Sequence, residues 1–237
     1  QVGELQEHAK GTDAALHARP YMADPEVFAG PDGTMAFADG DGGDPYRDFE
    51  DIFRGEEAFI RDRQRVYLPM LGEDGPVLDA GSGRGEFLDL LAEQGVDAVG
   101  VDLDRGMVER CEAKGHDVVF ADVIEYLREA PDGHFGTIFS AQFIEHVPLD
   151  ALVEFLELSA RKLRPGGVFI AETVNPHSLP AFRTFWTDLT HRAPIYPEVA
   201  LSLVKSTGFE RCAVVFPNGD GDFASDLASQ GEYAVVA

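Results

Sequence analysis

Cysteine is nearly absent from this chain, with Cys111 and Cys212 the only two in 237 residues. They form no C-x-x-C pair, which excludes a disulfide scaffold, a zinc ribbon and a thioredoxin-type redox motif, and a reduced, cytoplasmic setting is expected. Long apolar runs are missing as well. No stretch approaches the length of a membrane span and no signal-peptide pattern is visible, so no membrane insertion is expected. Lysine is scarce, at Lys10, Lys114, Lys162 and Lys205, and the remaining basic residues are arginines. With 43 acidic residues against 19 Lys and Arg, the formal net charge is −24. Nucleic acids and anionic membrane surfaces both attract clustered positive charge, so neither is an expected partner. The acidity reads as surface chemistry and solubility. Internal repeats are also lacking.

What is present suits one α/β domain with a sizeable core and an extension. Residues 1–48 lack sustained periodicity, and their Gly, Asp, Pro and Ala predict a loosely ordered acidic arm. Asp39, Asp41 and Glu50 occupy positions 1, 3 and 12 of a would-be calcium loop, but Asp44 stands at position 6, where the sharp turn needs glycine. A solvated acidic loop is expected there. Residues 49–237 make the domain. Ile52, Phe53, Phe59, Ile60, Val66, Tyr67 and Leu71 recur at helical spacing and predict one or two leading helices. Arg61, Arg63 and Arg65 on them face solvent, or one reaches back over a bound carboxylate.

From Val77 onward strands alternate with helices. Residues 77–79, 98–102, 118–121, 137–140 and 168–172 predict strands; 87–93, 105–113, 124–128 and 150–163 predict the helices between them. Such alternation means a parallel sheet with right-handed crossovers. A helix at 197–207 follows, and 211–216 with 233–236 close the sheet as a hairpin-like pair. Residues 175–196 fit neither pattern. They follow a strand C-terminus, the edge where open α/β sheets bind ligands, so they predict an acceptor loop.

The most informative stretch is Val77-Leu78-Asp79-Ala80-Gly81-Ser82-Gly83-Arg84-Gly85-Glu86, an apolar strand that ends in an acid and runs into a glycine turn. Such a turn lets backbone N–H groups and a helix N-terminus approach a ligand closely. A second strand ends at Asp102 and a third at Asp122. Each acid alone could simply cap the next helix; three in order behind a glycine turn point to a nucleotide-like site. A dinucleotide fold needs G-x-G-x-x-G, and its third glycine is Glu86 here. A carboxylate at the strand end leaves no room for pyrophosphate and suits a cationic or amine-bearing ligand.

The run D-x-G-x-G-x-G resembles the first motif of the class I S-adenosylmethionine-dependent methyltransferases. Leu163-Arg164-Pro165-Gly166-Gly167-Val168-Phe169 resembles the family's turn before strand five. The resemblance implies a Rossmann-like α/β fold, a mostly parallel seven-stranded sheet flanked by helices. It implies that Asp79, Gly81, Gly83 and Gly85 hold the amino-acid end of S-adenosylmethionine. Asp102 would take the ribose hydroxyls, Leu103 would pack on the adenine, and Asp122 with the backbone of Val123 would meet the adenine edge. Gln142 is placed in the same cofactor set.

Phe139-Ser140-Ala141-Gln142-Phe143-Ile144-Glu145-His146-Val147-Pro148 follows strand four. Its Glu-His pair followed by Pro resembles ubiquinone-pathway O-methyltransferases and many sugar methyltransferases. A hydroxyl acceptor is a weak nucleophile and needs a base or a metal. His146 is the natural base, unless it is merely a helix-start histidine bonded to a carbonyl. On a helical turn Gln142, Glu145 and His146 would share one face. Methyltransferases of small-RNA and quinone type hold a divalent ion with E-x-x-E-H and a distant His. That resemblance implies Glu145, His146 and His191 as ligands of Mg²⁺ or a similar ion, with Gln142 in place of the first acid.

The acceptor segment carries Trp186, Asp188, His191, Arg192 and Tyr196. Rings and polar groups on one loop suit a saccharide; alternatively Trp186 packs on the core. With Phe53-Arg54-Gly55-Glu56-Glu57 and Arg63-Gln64-Arg65-Val66-Tyr67-Leu68-Pro69, this stretch resembles methyltransferases of polysaccharide and O-antigen synthesis. The expected function is O-methylation of a saccharide hydroxyl on a small-molecule or oligosaccharide acceptor, with Glu145, His146 and His191 activating that hydroxyl. A quinone or phenol O-methyltransferase is the alternative. A non-catalytic methyltransferase-like binding module is the other, and the three retained acids count against it. The oligomeric state is left open.

Overall fold

The computed structural model describes residues 56–237. The acidic arm at 1–48, the calcium-like loop and Phe53-Arg54-Gly55 lie outside the described residues. The chain divides into a unit ending at Ile60 and a unit Arg61–Ala237; the sheet belongs to the second. Helix α1 (Glu57–Gln64) is followed by a 3-10 turn at Arg65–Met70. Then come β1 (Val77–Ala80), α2 (Glu86–Glu93), β2 (Ala98–Asp102), α3 (Arg105–Lys114), β3 (Val118–Phe120), α4 (Val123–Glu129) and β4 (Phe135–Ala141). A 3-10 turn at Ile144–His146 leads to α5 (Leu149–Lys162), β5 (Leu163–Val174), α6 (Leu179–Phe185), α7 (Pro197–Ser206), β6 (Ala213–Val215), α8 (Phe223–Ser229) and β7 (Glu232–Val236). Among the described residues no helix is long and apolar enough to cross a membrane.

The seven strands lie in the order β3-β2-β1-β4-β5-β7-β6. The first five are parallel, and β7 runs antiparallel to both β5 and β6. This is the Rossmann-like methyltransferase sheet. The chain winds outward from β1 to β3, then returns to set β4 on the other side of β1. The C-terminal ends of β1 and β4 therefore flank the topological switch point, where open α/β sheets bind ligands.

Strand alternation sorts the core onto two faces. Leu78, Ile138, Phe169 and Tyr233 pack with Ile124 and Leu127 of α4, Phe155 and Leu156 of α5 and Val204 of α7. Val77, Phe139, Ile170 and Ala234 face Tyr67 and Phe87, Leu88 and Leu91 of α2. Phe139 lies 3.7 Å from the Phe87 ring in a stack and 5.3 Å from the Tyr67 ring. Each such side chain contributes about 1.5–3 kcal/mol on burial. Because helices cover both faces, β1 is buried at every position and reads as a continuous apolar run up to its acid.

Four expectations are corrected. Residues 175–196 are not a plain loop, since they contain α6, whose Pro180 sits in the first turn, where a missing N–H costs nothing. The terminal strands are not a hairpin: α8 lies between them, and β7 inserts between β5 and β6. The strand expected at 211–216 shortens to Ala213–Val215. Strand β5 begins at Leu163, so the Pro165-Gly166-Gly167 turn is absorbed at its entry, beside a register shift between Phe135 and Thr137 of β4.

Candidate active site

The glycine turn sits at the end of β1. Gly81 has φ +75°, and a Cβ there would stand 2.9 Å from the Phe143 ring. Gly85 is left-handed at φ +81°, and its Cβ would stand 2.8 Å from Cys111 Sγ. Both positions require glycine for backbone conformation and for space. The amide of Gly83 donates to Asp102 Oδ2 at 2.8 Å, and the amide of Asp104 donates to Asp102 Oδ1 at 2.8 Å. Asp102 thus braces the turn. Within the turn, Arg84 and Glu86 form a buried pair at 2.7 Å.

The three acids lie towards the C-terminal ends of neighbouring parallel strands, staggered by two residues: Asp79 pairs with Gly100, two before Asp102, and Asp102 pairs with Phe120, two before Asp122. Asp79 is buried. The Cys111 thiol beneath the turn is pushed up to about 12, first by burial and then by the negative charge of Asp79, with Asp102 and Glu86 adding to it and Lys114 opposing. Asp122 Oδ1 accepts from the amides of Ile124 and Glu125 at 2.8 and 3.1 Å, so it caps α4. Its Oδ2 and the amide of Val123 take no part in that cap. Leu103 is 62 % exposed just beyond Asp102.

At the end of β4 the backbone departs from helical expectation. Gln142 has φ +54° and is the only non-glycine at positive φ among the described residues. Its amide donates to the Glu172 carbonyl at 3.0 Å, and its Nε2 donates to Glu172 Oε1 at 3.2 Å. Gln142 is therefore turned towards β5. The shared face expected for Gln142, Glu145 and His146 does not form, because Gln142 lies outside the 3-10 turn of residues 144–146 with a left-handed backbone that turns it towards Glu172.

Glu145, His146 and His191 do come together. One donor atom of each lies within 4.8 Å of the others, and the two imidazole centres are 4.6 Å apart. Glu145 is 1 % exposed and His191 is buried. His191 Nδ1 donates to the Phe185 carbonyl at 2.6 Å, since a carbonyl can only accept. Burial pushes the His191 pKa below its ordinary 6.5, against the raising effects of that carbonyl and of Asp188. The loop after α6 also holds the turn carrying Glu145 and His146. The Arg192 amide donates to the Glu145 carbonyl at 2.9 Å, and Arg192 Nε donates to the His146 carbonyl at 3.0 Å. Thr190 Oγ1 lies 2.9 Å from His146 Nδ1.

Trp186 is 52 % exposed and meets the buried Phe185 ring edge-on at 5.0 Å, so it rests on the core along one edge and leaves about half of its surface open to solvent. Arg63 pairs with Glu232, while Arg61 and Arg65 pair with Glu93 at 3.8 and 3.2 Å. The reading that one of these arginines reaches over a bound carboxylate has no support in this arrangement. The sequence reading missed Glu172, which accepts from Tyr67 Oη as well as from Gln142. Its signal was an acid inside the apolar strand Phe169-Ile170-Ala171-Glu172-Thr173-Val174.

A family model described as a methyltransferase domain matches residues 52–211. The chain is 29 % identical over 153 residues to a ubiquinone biosynthesis O-methyltransferase of Methylococcus capsulatus, covering 62 % of this chain and 55 % of that protein. It is 30 % identical over 149 residues to a probable S-adenosylmethionine-dependent methyltransferase of Mycolicibacterium smegmatis, covering 62 % and 56 %. The chain thus spans about half the length of the curated relatives it matches. A solved S-adenosylmethionine-dependent methyltransferase from Archaeoglobus fulgidus superposes with a TM-score of 0.74 at 30 % identity, over 82 % of this chain and 99 % of that one. With its sheet order, its braced glycine turn and these likenesses, the chain belongs to the methyltransferase domain family, in its S-adenosylmethionine-dependent class.

Proposed function

We propose that the protein methylates a hydroxyl oxygen of a small-molecule acceptor, and that this hydroxyl is a phenol on a quinone-type ring. The Glu145–His146–His191 cluster at the end of β4 carries the reading. A hydroxyl needs help to lose its proton, and two imidazoles beside a carboxylate are suited to give it. The cofactor side suits S-adenosylmethionine: a buried acid, Asp79, precedes a glycine turn at the end of β1, and Asp102 at the end of β2 braces that turn through the Gly83 amide. Bound there, S-adenosylmethionine supplies an electrophilic methyl carbon. Asp79 would hold the ammonium end, Asp102 the ribose hydroxyls, and Asp122 Oδ2 with the Val123 amide the adenine edge. His146 would receive the acceptor proton, with His191 and Glu145 orienting the hydroxyl.

The donor set also fits a divalent ion. Two imidazoles with one carboxylate suit a first-row ion such as Zn²⁺ or Fe²⁺ better than Mg²⁺. Such an ion would lower the pKa of the acceptor hydroxyl. The ring acceptor is supported by the name of the Methylococcus relative and by exposed apolar side chains on the acceptor segment, Leu179, Trp186 and Leu189. These apolar side chains count against a saccharide, which the polar groups of the same segment would suit. The saccharide reading keeps one observation, the exposed Trp186 ring, on which a sugar face can stack.

The test supplies methyl-labelled S-adenosylmethionine to the full chain with catechols and hydroxybenzoates in one series and methyl glycosides in another, each with and without chelator. Label in phenol ethers is expected, falling about 10²- to 10⁴-fold in His146→Ala. Label in glycosides alone moves the assignment to sugars. Full turnover in excess chelator refutes the ion, and failure to bind S-adenosylhomocysteine overturns the function.

A further inference from the structure

We propose that Asp188 and Thr190 are positioning residues that hold His146 in the tautomer protonated at Nδ1 and so leave its lone pair on Nε2. Thr190 Oγ1 stands 2.6 Å from Asp188 Oδ1 and 2.9 Å from His146 Nδ1. A threonine hydroxyl has one hydrogen and two lone pairs. The carboxylate has no hydrogen to give, and two oxygens facing each other with lone pairs at 2.6 Å would repel. The hydroxyl hydrogen therefore points at Asp188. What Thr190 presents to His146 is a lone pair, so Nδ1 must carry the proton. A neutral imidazole has a single N–H, and Nε2 is then its basic nitrogen. The Thr190 amide donates to the same Asp188 oxygen at 2.8 Å, which keeps the hydroxyl in place.

His191 is treated in the same way by the Phe185 carbonyl. Both rings of the cluster thus have Nδ1–H anchored by one stretch of chain, residues 185–190, and both keep the lone pair on Nε2. Imidazoles that act as ligands or bases are commonly oriented through their other nitrogen in this manner. Asp188 and Thr190 decide which nitrogen of His146 works. The inference rests on the reading that His146 acts at this site.

The test reads the tautomer directly, without cofactor, acceptor or metal. The full chain is labelled with ¹⁵N-histidine, treated with chelator, and examined by long-range ¹H–¹⁵N correlation at about pH 8.5, where an ordinary histidine is neutral. His146→Gln identifies the His146 signals by their loss. Wild type is expected to show His146 protonated at Nδ1. Thr190→Val should move the proton to Nε2, and Thr190→Ser, which retains the hydroxyl, should restore the wild-type pattern. A wild-type His146 protonated at Nε2, or a Thr190→Val spectrum identical to wild type, overturns the proposal. Because no turnover is measured, a protein with this tautomer that methylates nothing would sink the proposed function and leave the tautomer assignment standing.

Discussion

Asp102 accepts two backbone N–H bonds, from Gly83 and Asp104, in addition to any it takes from a ligand. Removing it both loosens the glycine turn and strips a partner from the ribose. Asp102→Ala should weaken S-adenosylhomocysteine binding by about 1.5–3 kcal/mol, or about 10- to 150-fold in Kd. Calorimetry that finds unchanged affinity would take Asp102 out of the site. His191 yields a pH prediction. Its pKa in the fold lies below 6.5, chiefly because it is buried, whereas in the unfolded chain it returns to about 6.5. Between those two values the unfolded chain binds more protons, so stability falls as pH drops below about 6.5 and is level above it. In metal-free protein, the Tm of His191→Gln should fall less steeply over that range than the Tm of wild type. Parallel curves would mean that the buried ring is not what the acid limb reports.

Strand β4 carries a glycine for reasons visible only in three dimensions. A Cβ on Gly136 would stand 1.9 Å from the Asp74 carbonyl oxygen, which belongs to backbone and cannot swing away. Gly136→Ala should destabilise the protein by about 1–3 kcal/mol, read as a lower urea midpoint at unchanged m-value. A midpoint equal to wild type would show that the 72–75 loop yields freely. Most of the elements were legible in the chain. The parallel strands announced themselves as short apolar runs, and Asp79, Asp102 and Asp122 marked where they end. Helices α6 and α8 were not legible, because α6 lies in a stretch punctuated by Pro176 and Pro180, and α8 follows a Gly- and Asp-rich run that reads as loop. At the site, the pairing of His146 with His191 was implied by the resemblance to methyltransferases with a Glu-His pair and a distant His. The left-handed Gln142 could not be anticipated, since its conformation is set by Glu172 on the neighbouring strand.

For the whole molecule the dominant number is the net charge of −24. Like charge spread over one chain opposes compactness. Raising salt from about 10 mM to about 0.15 M shortens the screening length from about 30 to about 8 Å, so Tm should rise with added NaCl. A Tm that falls steadily with salt would show that pairs such as Arg128–Glu154 outweigh the repulsion. The strand order carries a consequence of another kind. Leu78 of β1 lies beside Ile138 of β4, and Ile170 of β5 beside Val236 of β7. The central contacts of the sheet thus join segments some sixty positions apart. Closing such loops consumes chain entropy before any pairing returns it, which slows the search for the native state. Until β4 docks against β1, the ends that form the ligand site are not neighbours. The site therefore cannot exist before that long-range pairing is made, and a chain caught short of it would expose apolar strand edges.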